Sequence, residues 1–304
     1  MKIGLVTARP GHPLLAGAAA ALTPRHEILW LDPERGGAPD GEGPPADVYL
    51  LKARTPAALA LARWLEERGA PVLNTASATE LCQDRVAMAE LARGAGLPFA
   101  ATEAFPSLAR LASGPAPGYP LVVKSRHSRR RDLVTRVEGA EALRALLPVW
   151  RDEPVVAQPF TANSGWDHKL WVIGGRVFAA LRRSELAHDG VREAAAAGDD
   201  AARSRAARGA PLALEELPPG WAALALRAGE VFALDVYGVD LIDAGGGAPE
   251  IVDVNAFPGA RGQAGAPEAL AALALRAAAE GAAGPRAWRR PGTEDGAVRC
   301  APRA

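Results

Sequence analysis

Short apolar runs alternate with longer amphipathic stretches through the first quarter of the chain. Lys2–Thr7, Ile28–Leu31, Val48–Leu51 and Val72–Leu73 are expected strands. Between them lie a helix near Leu14–Leu22 and one capped by Thr55, with Leu59, Leu61, Trp64 and Leu65 turned inward. Strands alternating with helices imply a parallel sheet covered by helices on its faces. Pro33–Pro45 is a Gly/Pro/acid stretch without core-forming residues, hence a loop. Beyond it the spacing predicts one helix over Leu81–Ala95, with Thr79 and Asp84 near its start and Gly94 and Gly96 closing it.

The pattern then changes to strands that return on themselves. Tyr119–Lys124 and Val134–Val137 flank the basic loop Ser125–Asp132. A short helix at Glu141–Leu147 and a strand at Val155–Phe160 complete a small α+β unit. Asp167–Val172 and Arg176–Arg183 form a hairpin around Gly174–Gly175. Ser184–Pro219 is long and alanine-rich, with little apolar periodicity before Leu212, and reads as a loop. A helix at Trp221–Phe232 leads into a second hairpin, Val239–Ile242 and Ile251–Val254, turned at Ala244–Pro249. A last helix spans Pro267–Glu280, and Pro285–Ala304 reads as a floppy tail.

The chain has 304 residues, 49% of them hydrophobic, enough for two or three domains with a substantial core. Lys+Arg and Asp+Glu balance at 35 each, so net charge gives no reason to expect a nucleic-acid or membrane partner. No apolar run is long enough to span a bilayer, and the N-terminus is too short and broken for a signal peptide. A cytoplasmic protein is the expectation, with Cys82 and Cys300 as reduced thiols.

Chemistry concentrates in the second hairpin. Asp253 and Asn255 lie two apart on a strand and therefore share a face. A paired strand would bring Asp240 beside them. Oxygen side chains converging in this way suit magnesium, which takes one or two carboxylates and fills its octahedron with water and phosphate oxygens. On spacing alone, solvated hairpin acids are an equal reading. Lys124 ends a strand, where a lysine can meet phosphate as a point charge. Arg126, Arg129, Arg130 and Arg131 crowd the next loop and repel one another unless an anion is present. Lys52 and Arg54 follow the third strand, at the rim where ligands of parallel sheets bind. Acceptor binding and an ordinary loop pair are both open for them.

Together these segments resemble the ATP-grasp fold, from about Met1 to about Glu280. The most specific part is GVDLI followed by EIVDVNAFPG. The resemblance implies a mixed α/β and α+β architecture. A Rossmann-like N-terminal sheet would fill 1–77, a central subdomain 78–157 and a C-terminal subdomain 158–284, with 285–304 as tail. It implies ATP and Mg2+ as cofactors, with Mn2+ as a substitute. Asp240, Asp253 and Asn255 would hold the metal, Arg85 and Lys124 the phosphates, and Gln158, Pro159 and Phe160 the adenine. Lys169, Arg182 and Arg261 would serve the transfer itself. Lys52, Arg54, Arg126, Arg129, Arg130 and Arg131 would bind the acceptor.

Two branches of the family compete. GGRVFAALRRS and YGVDLI are similar to the ribosomal-protein glutamate ligases and their amino-acid ligase relatives. LLK at Lys52, DR at Arg85 and HKLWVIG at Lys169 are similar to inositol tetrakisphosphate-type kinases. The loop after Lys124 lacks the glycines that usually let its backbone cover the phosphates. The expected function is a carboxylate–amine ligase working through an acylphosphate. A small-molecule kinase is the alternative and a non-catalytic ATP-binding regulator the second. The partner is a small-molecule acid, amine or hydroxyl acceptor.

Overall fold

The computed structural model describes residues 1–35, 43–115, 118–184, 186 and 209–283. The expected tail, Cys300 and most of the segment between Ser184 and Pro219 lie outside the described residues. The first sheet contains β1 (Lys2–Val6), β2 (Glu27–Leu31), β3 (Val48–Leu51) and β4 (Val72–Leu73), parallel throughout in the order β2-β1-β3-β4. Its inward residues alternate, as strand geometry requires. Val48 and Leu50 join Leu14, Leu15 and Ala18 of α1 (Pro13–Leu22), whereas Tyr49 and Leu51 meet Leu59 and Leu65 of α2 (Pro56–Glu67). Thr55 caps α2 by accepting the Ala58 amide at 3.2 Å, a bond worth about 1 kcal/mol. Gly4 is obligatory in β1, because the Tyr49 ring occupies the place a Cβ would take.

The helix expected over Leu81–Ala95 is two helices, α3 (Ala76–Leu81) and α4 (Arg85–Gly94). The break has a local cause. Asp84 takes extended backbone angles and accepts the Val86 and Ala87 amides, so it begins a new helix instead of continuing the old one. After β5 (Glu103–Phe105) and α5 (Leu108–Ser113) come β6 (Leu121–Ser125) and β7 (Val134–Val137). The helix expected over Glu141–Leu147 also divides, into α6 (Ala140–Arg144) and α7 (Leu147–Trp150); Pro148 lacks an amide proton and suits only a helix start. With β8 (Val155–Pro159) these strands form an antiparallel sheet ordered β5-β8-β6-β7. The boundary expected between 157 and 158 therefore falls inside β8. Leu121, Val123, Val155 and Ala157 pack under the helices, leaving Val122, Lys124 and Gln158 for the other face.

The third sheet is ordered β11-β10-β9-β12-β13. It comprises β9 (Trp166–Ile173), β10 (Arg176–Arg183), β11 (Ala210–Leu212), β12 (Val236–Asp243) and β13 (Pro249–Ala256). β11 is a strand within a stretch that reads as loop; at three residues it is too short to leave a periodic signal. Gly174 and Gly175, at φ 56° and 88°, turn the first hairpin as their sequence predicts. Leu170, Val172, Val239 and Leu241 pack against Trp221 and Ala225 of α8 (Trp221–Val231). On the opposite face, Trp171 and Ile173 share a core with Leu270 and Leu273 of α9 (Ala266–Glu280) and with Ile3 and Leu50 of the first sheet.

One core thus joins the first and third sheets. Asn74, fully buried, fastens the junction: its amide nitrogen donates to the Val236 carbonyl at 2.7 Å, and its oxygen accepts the Asp235 and Val236 amides. No helix among the described residues is long and apolar enough to cross a membrane.

Candidate active site

The antiparallel register sets the polar side chains in rows. Lys169 on β9, Asp240 on β12 and Asp253 on β13 stand directly opposite one another. The adjacent row is Trp171, Gly238 and Asn255; two residues the other way, Asp167 pairs with Arg182. Side chains two apart share a face, so Asp167, Lys169, Asp240, Asp253 and Asn255 leave the sheet on one side. Asp167 is absent from the sequence-derived site, yet the i, i+2 relation that links Asp253 to Asn255 also links Asp167 to Lys169. The row is already charge-compensated: Lys169 Nζ lies 2.7 Å from Asp240 Oδ2.

Facing this row is the uncovered side of the central sheet. Lys124 ends up 5% exposed, its Nζ donating to the Val252 carbonyl at 2.9 Å. That carbonyl is free because β13 bulges: Asp240 pairs with Asp253 and Leu241 with Ile251, so Val252 falls outside the pairing. Burial pushes the Lys124 ammonium below its ordinary range, while Asp253 and Asp240 pull the other way. Arg85, also 5% exposed, is the first residue of α4. Its Nη1 donates to the Ser125 carbonyl (2.7 Å) and to Asp132 (2.8 Å), and its Nη2 stands 4.0 Å from Asp253. Its Nε is buried with no hydrogen-bond partner, a donor left over for something that enters the cleft.

The cleft between the two walls is lined by side chains of both kinds. Arg85, Lys124, Asp167, Arg182, Asp240 and Asp253 supply charge. Val122, Val134, Phe160, Ile242 and Val252 supply apolar surface, with Gln158 and Pro159. Gln158 spends its amide nitrogen on Thr102 Oγ1 at 2.9 Å, and Arg136 lies 3.8 Å above the Phe160 ring. A cleft that sets apolar side chains beside buried cations and acids suits a flat base with an anionic tail. Burial raises the Asp167 carboxyl above its usual range, against hydrogen bonds from Ser184 and Arg182; Asp240 adds to the rise. A wider groove at Arg144–Glu153 lies on the helical side of the central sheet, but its Arg129 and Glu153 satisfy each other.

The basic loop does not join the cleft. Arg126 forks onto Asp84, with Nη2 at 2.6 Å from Oδ2, and Arg129 forks onto Glu153 at 2.6 and 2.8 Å. Burial alone would lift the Asp84 carboxyl, but hydrogen bonds from Arg126 and the Val86 amide hold it below the usual range. Arg130 and Arg131 are exposed, with Arg131 at φ 63°. Arg126 and Arg129 thus act as latches: a run of arginines in sequence hides the acids, distant in the chain, that neutralise these two. Lys52, Arg54 and Arg261 stand elsewhere, beside the turn that follows Asn255. Lys52 Nζ donates to the Phe257 carbonyl at 2.8 Å. Gly238 lets Pro258 of that turn approach, to 3.2 Å of where a Cβ would sit.

Two sheets facing each other across a cleft beside a parallel sheet, with cations on one wall and the acids of a hairpin on the other, define an ATP-grasp protein. The chain belongs to the RimK-like ATP-grasp family, whose model matches residues 115–267, half of its length. A "Probable alpha-L-glutamate ligase" of Rhodopirellula baltica is 30% identical over 148 residues, 48% of this chain and 33% of the relative. A second protein so named, from Shewanella sp., is 27% identical over 212 residues, 68% of this chain and 66% of the relative. The chain therefore spans from one third to just under two thirds of these relatives. The crystal structure of a RimK domain ATP-grasp protein from Sphaerobacter thermophilus superposes with a TM-score of 0.65 at 22% identity, over 90% of this chain and 100% of that one. That likeness establishes the fold.

Proposed function

We propose that the protein is an ATP- and magnesium-dependent carboxylate–amine ligase. The observation that carries this reading is the Lys169–Asp240–Asp253 row facing Arg85 and Lys124 across one cleft. The γ-phosphoryl group would pass to a carboxylate, giving an acylphosphate and ADP; an amine would then attack the acyl carbon and expel phosphate. No side-chain nucleophile is needed, only placement and charge stabilisation. The relatives named as glutamate ligases favour a carboxylate over a hydroxyl as acceptor.

Asp240, Asp253 and Asn255 would hold the metal. Two carboxylates and an amide are too few for a closed all-protein cage but fit magnesium, which relies on phosphate oxygens for the rest. Magnesium bound there would neutralise charge on the phosphates. Manganese fits the same oxygen set. Arg85 Nε and the Lys124 ammonium would hold the phosphates, and Gln158, Pro159 and Phe160 would border the adenine. Lys169 and Arg182 would stabilise charge on the group in transfer. Lys169 must then exchange Asp240 for phosphate oxygen, and the 2.7 Å pair keeps it poised until the nucleotide arrives. A cytoplasmic location, where ATP is abundant, goes with this reading.

Incubation with ATP, magnesium and paired acids and amines tests this, with products identified by mass. ADP and phosphate should appear together with an amide only when both partners are present. A stable phosphorylated alcohol would establish the kinase alternative instead.

A further inference from the structure

Five basic side chains gather where the first sheet meets the turn after β13. Lys52 and Arg54 follow β3, Arg9 and His12 follow β1, and Arg261 follows the turn itself. The charges acting on Lys52 are those of Arg54, Arg261 and Arg9; those acting on His12 are Lys52, Arg261 and Arg9. No carboxylate is among them. The ion pairs among the described residues include none of the five. Lys52 has a carbonyl for its partner, and His12 Nδ1 is buried without one.

The turn is built to hold this arrangement. Phe257 and Ala260 adopt φ of 45° and 40°, conformations that side chains other than glycine rarely take. Phe257 is fixed there by burial and by its amide's bond to the Val236 carbonyl at 2.8 Å. Its own carbonyl thereby meets Lys52. His12 Nε2 lies 3.4 Å from where a Cβ on Gly259 would sit, so the turn and the end of β1 are in near contact. The cluster adjoins the acid row through the chain itself: Phe257, whose carbonyl holds Lys52, lies two residues past Asn255 of β13.

We propose that the cluster of Arg9, His12, Lys52, Arg54 and Arg261 binds a second, non-reacting anionic group of the acceptor. The inference rests on the ligase reading above and extends it to the substrate class. The acceptor presents one carboxylate to the phosphoryl group near Asp253 and anchors a further carboxylate or phosphate in the cluster. Gathering like charges without an acid is unfavourable in the empty protein. An entering anion relieves that repulsion and gains charge-assisted hydrogen bonds that a monocarboxylic acid would forgo.

Direct binding tests the cluster without turnover. Glutarate, butyrate and inorganic phosphate are titrated calorimetrically into the whole protein, its Arg261→Gln and Arg9→Gln variants, and His12→Asn. Both arginines are exposed, so their replacement leaves the fold intact. Glutarate should bind at least about tenfold more tightly than butyrate, and the Arg261→Gln variant should lose about tenfold, the worth of one charge-assisted bond. Affinity for ADP with magnesium should stay unchanged. Phosphate binding lost in the same variants also supports the proposal and makes the anchored group a phosphate. Equal binding of glutarate and butyrate, or variants that bind as the unaltered protein does, would overturn it. Glutarate binding without any ADP–magnesium binding would instead refute the ATP-dependent reading and leave the anion site standing.

Discussion

Cations border the acid row of β12 and β13 in two groups, and the groups are held differently. Arg85, Lys124 and Lys169 each have a partner inside the protein: Asp132, the Val252 carbonyl and Asp240. Arg9, Arg54 and Arg261 have no acid partner among the described residues, and Lys52 has a carbonyl and the Phe257 ring, 5.8 Å from its Nζ. In the proposed reading the first group exchanges partners, and a nucleotide would replace interactions that already exist. The second carries uncompensated charge, and an anion there adds interactions that nothing else supplies. A ligand of the first group is opposed by the bonds it displaces; a ligand of the second is drawn in by a field left open.

Removing the acid at the centre of the exchanging group should have the largest effect. Asp253→Asn keeps the shape of the side chain and deletes the charge that faces Arg85 and Lys124. ATP turnover with magnesium should fall by about two to three orders of magnitude, the range for losing one preorganised charge contact in the transition state. Circular dichroism should show an intact fold. Turnover close to that of the unaltered protein would reject the metal face.

Lys124→Met comes next. The ammonium is almost fully buried and its charge is disfavoured there. Replacing it with an apolar chain of similar length should leave the nucleotide-free protein as stable or more so. The Michaelis constant for ATP should rise at least about thirtyfold, since truncating one partner of a buried charge pair costs about 2 kcal/mol or more. A parallel loss of stability would show that Lys124 is structural.

Asp132→Ala separates exchange from simple support, because its two effects have opposite signs. The Arg85–Asp132 pair is 6% and 13% exposed, so breaking it should destabilise the nucleotide-free protein, by about 3 kcal/mol for a buried pair. With its competitor removed, Arg85 should bind phosphate better, and ADP–magnesium affinity should rise a few-fold. Equilibrium unfolding and calorimetry read the two effects. Weaker nucleotide binding in the variant would mean that Asp132 orients Arg85 and does not compete for it.

What the sequence displays and what it hides follows from how far each interaction reaches along the chain. The rows of the third sheet are local: two hairpins with clear glycine turns fix Lys169, Asp240 and Asp253 by strand periodicity. The parallel sheet is equally plain, since apolar runs and helical stretches alternate there. Arg126 and Arg129 mislead because their acids, Asp84 and Glu153, lie 42 and 24 residues away. The break between α3 and α4 turns on one side chain, Asp84, whose capping role looks from sequence like an acid near the start of a single helix. Asp167 was within reach of the same two-residue rule that found Asn255. Three of the five members of the basic cluster, Lys52, Arg54 and Arg261, stand out in the sequence. Arg9 and His12 join it only because one core brings β1 against the turn after β13.

The smallest expected effect lies in that cluster and depends on pH. Burial, with Lys52, Arg261 and Arg9 nearby, lowers the His12 pKa from 6.5 to about 4. The unfolded chain therefore binds a proton that the folded protein refuses as the pH falls from 6.5 toward 4, and over that window folding stability declines. His12→Asn removes the group. Near neutral pH the variant and the unaltered protein should differ little, and below about pH 6 the variant should lose less stability as acid is added. Denaturant unfolding across that range reads the difference. Saturating glutarate should shrink it, because a bound anion offsets the cations that keep His12 neutral. If glutarate binds and the acid-limb difference is unchanged, the anion sits away from His12, and the contrast between the two groups narrows to Lys52 and the arginines.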